Sequence, residues 1–438
     1  MKQQCLKNFL RYAGSGVLGM LGLSCYILAD TYYISGWLGT QGLAALNLAI
    51  PVYSLIHGSG LMIGMGGASI YTIARSQSDG KRANTVFTLS LILAGLFSAI
   101  YMLVGAVFSD QLALLLGADD ATFDMSRIYL KMLLLCSPAF LLNDLILAFV
   151  RNDGAPRLSM GGMLAGSFSN ILLDYLFIYF LRWGMFGAVF ATCLAPVISL
   201  CVVSSFFFRR RNRFRPIRIQ LNADLGAKLL TVGFPSLVTE LSSGIVIIVF
   251  NLLILGSSGN TGVAAYGIIA NISLVVIAVF TGIAQGIQPL LSRHYGCEER
   301  FSLRLTMRYA FVSVLLLSVV MYAFLFFWAD PIAQLFNSQE NAQLQALAVR
   351  GMRLYFTGIA FAGSNVVLCM YLSCANRPRA GNVLALLRGF ALILPLALLL
   401  AEFWQMTGLW LAFPITELSV TLIAAAFLLR KKKVEDSF

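Results

Sequence analysis

Apolar runs of about twenty residues recur along the whole chain, separated by short polar segments. Each run is long enough to cross about 30 Å of hydrocarbon as a helix. The runs are continuous, whereas the strands of a membrane β-barrel alternate apolar and polar residues. The pattern therefore predicts an all-α membrane protein with twelve spanning helices, at about 10–36, 42–75, 84–108, 127–151, 157–181, 184–208, 228–253, 263–293, 304–328, 349–374, 379–402 and 407–430.

The composition supports the same class of protein. The chain has 438 residues, of which 59% are hydrophobic and 11% are charged, whereas soluble domains carry about 25% charged residues. The eight Cys residues have no metal-ligand spacing, and we read them as small apolar helix residues. No metal site and no cofactor are expected, apart from sodium as a possible coupling ion.

The basic residues predict the orientation of the chain in the membrane. Of the 31 Lys and Arg residues, Arg388 lies inside a span and five lie near one set of loops, and the remaining 25 lie at the opposite ends of the spans. Basic loops stay on the cytoplasmic side, so both termini are expected in the cytoplasm of a multi-pass plasma-membrane (bacterial inner-membrane) protein. An anionic leaflet accounts for the net charge of +12, and no nucleic-acid partner is expected.

The two halves of the chain resemble each other. At a shift of about 220 residues, Gly36, Gly39 and Gly42 fall on Gly256, Gly259 and Gly262, and Gly66 falls on Gly286; at about 222, Asn143, Pro156 and Arg157 fall on Asn365, Pro378 and Arg379. A duplicated six-helix unit predicts two pseudo-symmetric lobes, related as a parallel repeat about an axis along the membrane normal. We divide the chain into an N-terminal lobe (1–208), a basic cytoplasmic linker (209–227) and a C-terminal lobe (228–438). We expect a monomer.

Acidic residues within the spans are the first candidates for function, because a charge in hydrocarbon is costly. Asp30 lies roughly 9 Å below the outer end of its span, at 1.5 Å per residue, and Asp174 and Thr192 lie at a similar depth. Asn170 precedes Asp174 by one helical turn and shares its face. We therefore predict that Asp30, Asp174, Asn170 and Thr192 converge on one proton- or cation-coupling site. Two nearby carboxylates can share a proton, which a cation can replace.

Further polar residues are candidates for a substrate cavity. Glu240 lies near the middle of the seventh span, among small and hydroxyl residues. Gln285 and Gln288 either line the cavity or bridge helices, and Asn143 and Tyr33 complete the set. Aromatic and Met side chains can accept flat, apolar cations.

Other intramembrane charges have a structural interpretation. Arg388 and Glu417 lie at mid-depth on adjacent helices and are expected to form a buried ion pair. Asp144 is expected to contact an arginine of the cytoplasmic side, for packing or gating. His57 is assigned to a satisfied core position.

Several stretches resemble the multidrug and toxic compound extrusion (MATE) family over nearly the whole chain. They are "ADTYYISGWLGTQGLAALNLAIP", "RNDGAPRLSM", "SNILLDYLFIYFLRWGMFGAVFAT", "VFNLLILGSSGNTGVAAYGI" and "GIAQGIQPLLS". The resemblance implies two six-helix lobes and antiport of organic cations against protons or sodium. It also implies that Asp30 corresponds to the family's aspartate on helix one and Glu240 to its acidic position on helix seven. Asn170, Asp174 and Thr192 would correspond to the polar group on helices five and six of the DinF-like and MepA-like branches.

The chain departs from the family at one position that bears on coupling, and three other functions are alternatives. The NorM-like branch has a carboxylate on helix ten, where this chain has Ser364 and Asn365, so coupling is expected in the first lobe. A flippase for lipid-linked oligosaccharides or lipids is the alternative function, but it would prefer a basic cavity, and Arg388 is the only cation well inside a span. A membrane-embedded enzyme and a channel are less favoured, because the sequence has neither paired metal ligands nor a selectivity filter.

Overall fold

The computed structural model describes residues 2–337, 341–375 and 377–435, with side chains described up to residue 426. This part of the chain contains helices and no strands. Its α-helices are α1 (Lys2–Ser76), α2 (Gly80–Val107), α3 (Ser109–Leu115), α4 (Phe123–Leu135), α5 (Ser137–Asn152), α6 (Pro156–Asp174), α7 (Gly184–Phe208), α8 (Ala223–Gly296), α9 (Arg300–Phe327), α10 (Ala329–Phe336), α11 (Ala342–Tyr355), α12 (Ile359–Cys374), α13 (Pro378–Leu386) and α14 (Ile393–Glu435). Two π-helical segments, Tyr175–Phe180 and Leu387–Ala391, follow α6 and α13.

Three of these helices are long because each continues from one span into the next. At 1.5 Å per residue, the 75 residues of α1 would measure about 110 Å if straight, several times the thickness of the hydrocarbon. The backbone of α1 breaks at Gly39 (φ 65°, ψ −157°) and that of α8 breaks at Gly259 (φ 62°, ψ −160°). These angles are accessible to glycine and strained for other residues. The third break lies at Gln405 in α14 (φ 47°, ψ −129°).

The described part of the chain forms twelve spans in two lobes. The first six are the two halves of α1, then α2, the pair α4–α5, α6 with its π segment, and α7. The second six are the two halves of α8, then α9, the pair α11–α12, and two spans between Pro378 and Ala426 that meet at Gln405. Large apolar side chains such as Leu103, Leu316 and Val319 point outward and are more than 60% exposed, which suits a lipid-facing surface.

Several predicted boundaries were wrong in detail. The residues between Gly36 and Gly42 are helical and bend at Gly39, where a loop was expected. The first helix begins at Lys2 rather than near residue 10. The fourth span is bent by 48° between α4 and α5. The short helices α3 and α10 were missed, because seven or eight residues give too little periodicity; they begin 220 residues apart, which is the repeat shift.

The lobes meet through α1 and α8, and the interface follows the repeat. Buried residues form one core mostly from α1–α7 and another mostly from α8–α14. Phe9 at the start of α1 packs into the second core, and its repeat mate Leu229 at the start of α8 packs into the first. The first turns of each lobe's first helix therefore pack into the core of the other lobe.

Glycines allow this close approach. A Cβ added to Gly66 would lie 2.9 Å from the backbone nitrogen of Gly233, and one added to its repeat mate Gly286 would lie 2.8 Å from the Cα of Ala13. Both contacts lie toward what we call the basic side, which carries the start of α1 and the loops at 77–79, 153–155, 209–222 and 297–299. The lobes are therefore packed backbone to backbone on the basic side.

The segment between α7 and α8 is attached to the first lobe. Phe214 is fully buried and lies 4.6 Å from Phe87 and 5.6 Å from Phe149, measured between ring centroids. Asp153 accepts hydrogen bonds from the Arg213 backbone N–H (2.7 Å) and the Tyr71 hydroxyl (2.8 Å). The non-helical segment spans 209–222, since α8 begins at Ala223. The division at 208 and 228 stays a prediction.

Candidate functional site

The four residues predicted to form the coupling site lie on α1, α6 and α7, and all are at most 7% exposed. With its amide oriented to satisfy both neighbours, Asn170 donates to Asp174 Oδ2 (3.0 Å) and accepts from the backbone N–H of Thr192 (3.2 Å). Asp174 is the last residue of α6, directly before the π segment. Single π turns often occur at functional sites, since they displace a helix face.

Asp30 and Asp174 are close enough to interact through their charges. The Oδ1 atom of each carboxyl group is buried without a hydrogen-bond partner. In the part of the chain that the structure describes, no Lys, Arg or His side chain forms an ion pair with either one. A buried charge needs a partner, and the ion pairs of the described residues give neither carboxyl group a cationic one.

An aromatic layer lies next to this cluster. Tyr175 and Tyr179 stack at 5.2 Å, Tyr33 contacts Tyr175 at 6.4 Å, and Trp37 contacts Tyr179 at 5.0 Å. Tyr33, a predicted cavity residue, therefore belongs to this aromatic layer between α1 and the π segment. It is not among the residues that line the cavities below.

A cavity of about 70 Å³, lined mostly by the first lobe and also by Gln285 of α8, approaches the cluster. Asn143, Thr192 and Tyr26 line it, and Tyr26 lies one helical turn before Asp30 on α1. Asp30, Asn170 and Asp174 are not lining residues of this cavity. Thr192 is therefore the member of the predicted coupling site that lines this cavity.

Asp144 interacts with the charge of the basic-side Arg151, as expected, and the structure adds His57 as its hydrogen-bonding partner. His57 Nδ1 lies 2.9 Å from Asp144 Oδ2, and the two side chains are 12% and 6% exposed. The pair joins α1 to α5, and both residues line the 70 Å³ cavity. Hydropathy marks both positions as unusual, but it carries no information about which helix faces meet.

A larger cavity of about 220 Å³ lies between the lobes. This volume is below the roughly 300–1,000 Å³ of drug-sized sites, so it suits a small guest. Its wall combines aromatic and charged side chains, namely Tyr53, His57, Glu240, Tyr266, Tyr355, Arg388, Phe413 and Glu417.

Arg388 and Glu417 lie 2.8 Å apart from Nη2 to Oε1. Asn365 donates to the other carboxylate oxygen, Oε2, at 2.7 Å, so both oxygens of Glu417 have partners. Arg388 stands in the second π segment, Leu387–Ala391. Sequence reasoning did not identify Asn365 as the third member of this group.

Gln285 and Gln288 bridge the lobes and also line a cavity of about 50 Å³. Arg151 Nη1 donates to Gln285 Oε1 (3.3 Å), and Asn152 Nδ2 donates to Gln288 Oε1 (2.6 Å). Farther toward the basic side, the hydroxyls of Ser69 and Ser292 lie 2.9 Å apart. Sequence reasoning did not identify Arg151 and Asn152, because their partners are in the other half of the chain.

No group of three His, Cys, Asp or Glu side chains that could hold a metal ion is present among the described residues. Hard cations prefer carboxylate and amide oxygen ligands, and Asp30, Asn170 and Asp174 carry oxygen atoms of these two kinds.

Comparisons of this chain with known proteins agree on one family. The MatE family model matches residues 17–176 and 235–399. The chain is 23% identical to the multidrug export protein MepA of Staphylococcus saprophyticus, over 99% of this chain and 96% of that protein. It is 24% identical to MepA of Staphylococcus aureus, over 100% and 96%.

Solved structures share the fold. One is an outward-facing multidrug resistance MATE transporter of the MOP superfamily (TM-score 0.90, 22% identity, 98% of this chain and 96% of that one). Another is a MOP superfamily transporter from Pyrococcus furiosus (TM-score 0.89, 23% identity, 98% and 96%). The family match covers most of both lobes, so the chain belongs to the MatE family: it is a multi-pass membrane transporter for small molecules and not an enzyme.

Proposed function

We propose that this protein exports organic cations of several kinds across the plasma membrane by alternating access, in exchange for protons, with sodium as the alternative coupling ion. Asp30 and Asp174, arranged with Asn170 and Thr192, are the proposed coupling site. Glu240, Asn143, Gln285 and Gln288 are proposed to line the substrate path. Tyr33 is proposed to act from the aromatic layer beside the site.

The observation that carries this proposal is the pair of buried carboxyl groups without a cationic partner. Two negative charges this close in a low-dielectric bundle repel each other strongly. A proton or a cationic guest relieves the repulsion, and each weakens the binding of the other. A proton gradient can then drive the guest in the opposite direction.

The packing between the lobes supports alternating access. Basic loops favour the cytoplasm, so the side on which α1 and α8 pack backbone to backbone is proposed to face the cytoplasm, together with both termini. The described structure would then be closed toward the cytoplasm. Release of the glycine contacts on that side would admit a substrate from the cell interior.

A flippase is less well supported. Its anionic headgroup would need a positively charged cavity, and the charge of Arg388 is already balanced by Glu417 at 2.8 Å. The names of the MepA relatives also favour export of drugs.

The test is efflux of a cationic dye from cells that produce the wild-type protein, Asp30→Asn or Asp174→Asn. Each substitution removes the exchangeable charge and keeps the shape, so gradient-driven efflux should fall to that of cells without the transporter. Asp120→Asn, on an exposed loop, is the matched control and should transport normally. Wild-type efflux rates in both buried variants, at equal protein levels, would refute the assignment.

A further inference from the structure

His57 stands at the meeting point of the two lobes. Its Nδ1 faces Asp144 of α5 at 2.9 Å, and its ring stacks on Tyr53 with centroids 5.8 Å apart and planes 16° apart. The hydroxyl of Tyr53 in turn lies 2.6 Å from that of Tyr26. The imidazole is therefore held in one orientation by an acidic and an aromatic neighbour.

Glu240 approaches the same place from the other lobe. A Cβ added to Gly58 would lie 3.1 Å from the Cβ of Glu240, so the glutamate packs against the backbone beside His57. Glu240 and His57 both line the 220 Å³ cavity. His57 also lines the 70 Å³ cavity with Asp144. The histidine thus forms part of the wall between the two spaces and lies between two carboxyl groups.

With Asp144 and Glu240 both ionised, the charges around His57 balance only when it carries a proton. Asp144 and Glu240 are acidic, and Arg151, which interacts with the charge of Asp144, is the cation beside them. Tyr26 and Tyr53 add no charge near neutral pH, and Arg388 and Glu417 across the cavity cancel each other. With neutral His57, the cluster of Asp144, Glu240, Arg151 and His57 would have a net charge of about −1 in a low-dielectric site, which attracts a cation.

We propose that His57 is a second proton-binding site, separate from the Asp30–Asp174 cluster, and that a small monovalent organic cation entering the cavity between the lobes displaces its proton. This inference rests on the proposed function. As the guest enters, His57 keeps the Nδ1 proton that faces Asp144 and loses the other to solvent. One positive charge replaces one proton, so the cluster stays neutral.

The position of the guest follows from the cavity wall. In this proposal a quaternary ammonium ion in the 220 Å³ cavity lies beside the rings of Tyr53 and Tyr355, and aromatic rings attract cations. Glu240 supplies the balancing carboxylate. A dication or a neutral molecule would leave the cluster unbalanced, so the site is expected to favour monovalent ions.

The direct test observes the imidazole by NMR. The chain contains two His residues, so Histidine-labelled His294→Gln protein reports only His57 and leaves the site intact. The expected result at pH 7 is an imidazolium signal without ligand and a neutral imidazole signal with saturating tetraethylammonium. An unchanged protonation state on saturation would overturn the inference.

A second measurement separates this inference from the proposed function. Binding of tetraethylammonium to purified wild-type protein in weak buffer should release protons, and His57→Gln should release about one proton fewer per bound cation. His294→Gln, at the end of α8, is the matched control and should behave like the wild type.

The outcomes are distinct. Equal proton release by His57→Gln and the wild type, with release reduced in Asp174→Asn, would reject the His57 site alone. Absence of any cation binding by the wild-type protein would contradict the proposed function, and the second site with it.

Discussion

Gly16 of α1 and Gly282 of α8 touch through their backbones: a Cβ added to Gly282 would lie 2.8 Å from the carbonyl carbon of Gly16. No side chain stands between the two helices at this point. The two helices are close-packed at this contact, and an added methyl group cannot be accommodated unless the backbones move apart. Small changes at these glycines should therefore alter the balance between the open and closed arrangements of the lobes.

The first prediction concerns Gly282→Ala. The added methyl should disfavour the packed arrangement by about 1–3 kcal/mol and so raise the fraction of molecules open on the basic side. Cys374 is buried beneath this interface. In a variant with Cys374 as the sole cysteine, its alkylation should accelerate. Gly267→Ala, also on α8 but with no atom within 4 Å of the added Cβ, is the control and should leave the rate unchanged. Equal rates in the two variants would contradict the prediction.

The second prediction is a reversible lock between the lobes. The Ser69 and Ser292 hydroxyl oxygens are 2.9 Å apart, so Ser69→Cys with Ser292→Cys in a cysteine-free protein should form a disulfide under mild oxidation. Since the two residues are on different lobes, the bond should stop efflux, and reduction should restore it. Either single substitution alone should transport under both conditions. Full efflux by the cross-linked protein would show that this contact persists through the transport cycle.

The third prediction concerns the buried pair of Arg388 and Glu417. Removing one partner leaves a charge uncompensated, so Glu417→Gln or Arg388→Met should each lower stability by about 3–5 kcal/mol. The double variant should recover much of that loss, since both charges are then absent. Thermal unfolding of the four purified proteins measures the coupling. Losses that simply add in the double variant would rule out a structural ion pair.

The fourth prediction concerns the segment at 209–222. Phe214→Ala empties a fully buried aromatic position and should cost about 3–5 kcal/mol. Trypsin should then cut faster in the run of arginines between 209 and 218, because the segment detaches from Phe87 and Phe149. Leu221→Ala removes a side chain that is 74% exposed and should change neither stability nor cleavage. Unaltered proteolysis of Phe214→Ala would mean that other contacts hold the segment.

The repeat shows how far sequence alone can reach. The alignment of Gly39 with Gly259 predicted equivalent positions, and both residues break their helices with nearly the same dihedral angles. The alignment of Gly66 with Gly286 marked two glycines that both face the opposite lobe. A repeat can be recognised in the sequence because both copies need the same residue type at positions with the same local backbone structure. What each glycine touches was not visible, since the contact lies in the other half.

The acidic cluster shows the limit in another way. Helical periodicity placed Asn170 on the same face as Asp174, and the structure joins them at 3.0 Å. Depth did not show which members of the cluster reach a cavity; in the structure Thr192 lines the 70 Å³ cavity, and Asp30, Asn170 and Asp174 are not among its lining residues. Depth is a coordinate along the membrane normal, and it leaves the rotation of each helix about its own axis undetermined.

By itself, the sequence determined the membrane class, the twelve spans, their grouping into two similar halves and the list of costly intramembrane charges. These follow from hydropathy and spacing, which are local properties of the chain. Only the tertiary structure decided that His57 faces Asp144, that Arg151 and Asn152 reach Gln285 and Gln288, and that the lobes close on the basic side. Each depends on which helix faces meet, and that is set by packing between residues far apart in the chain.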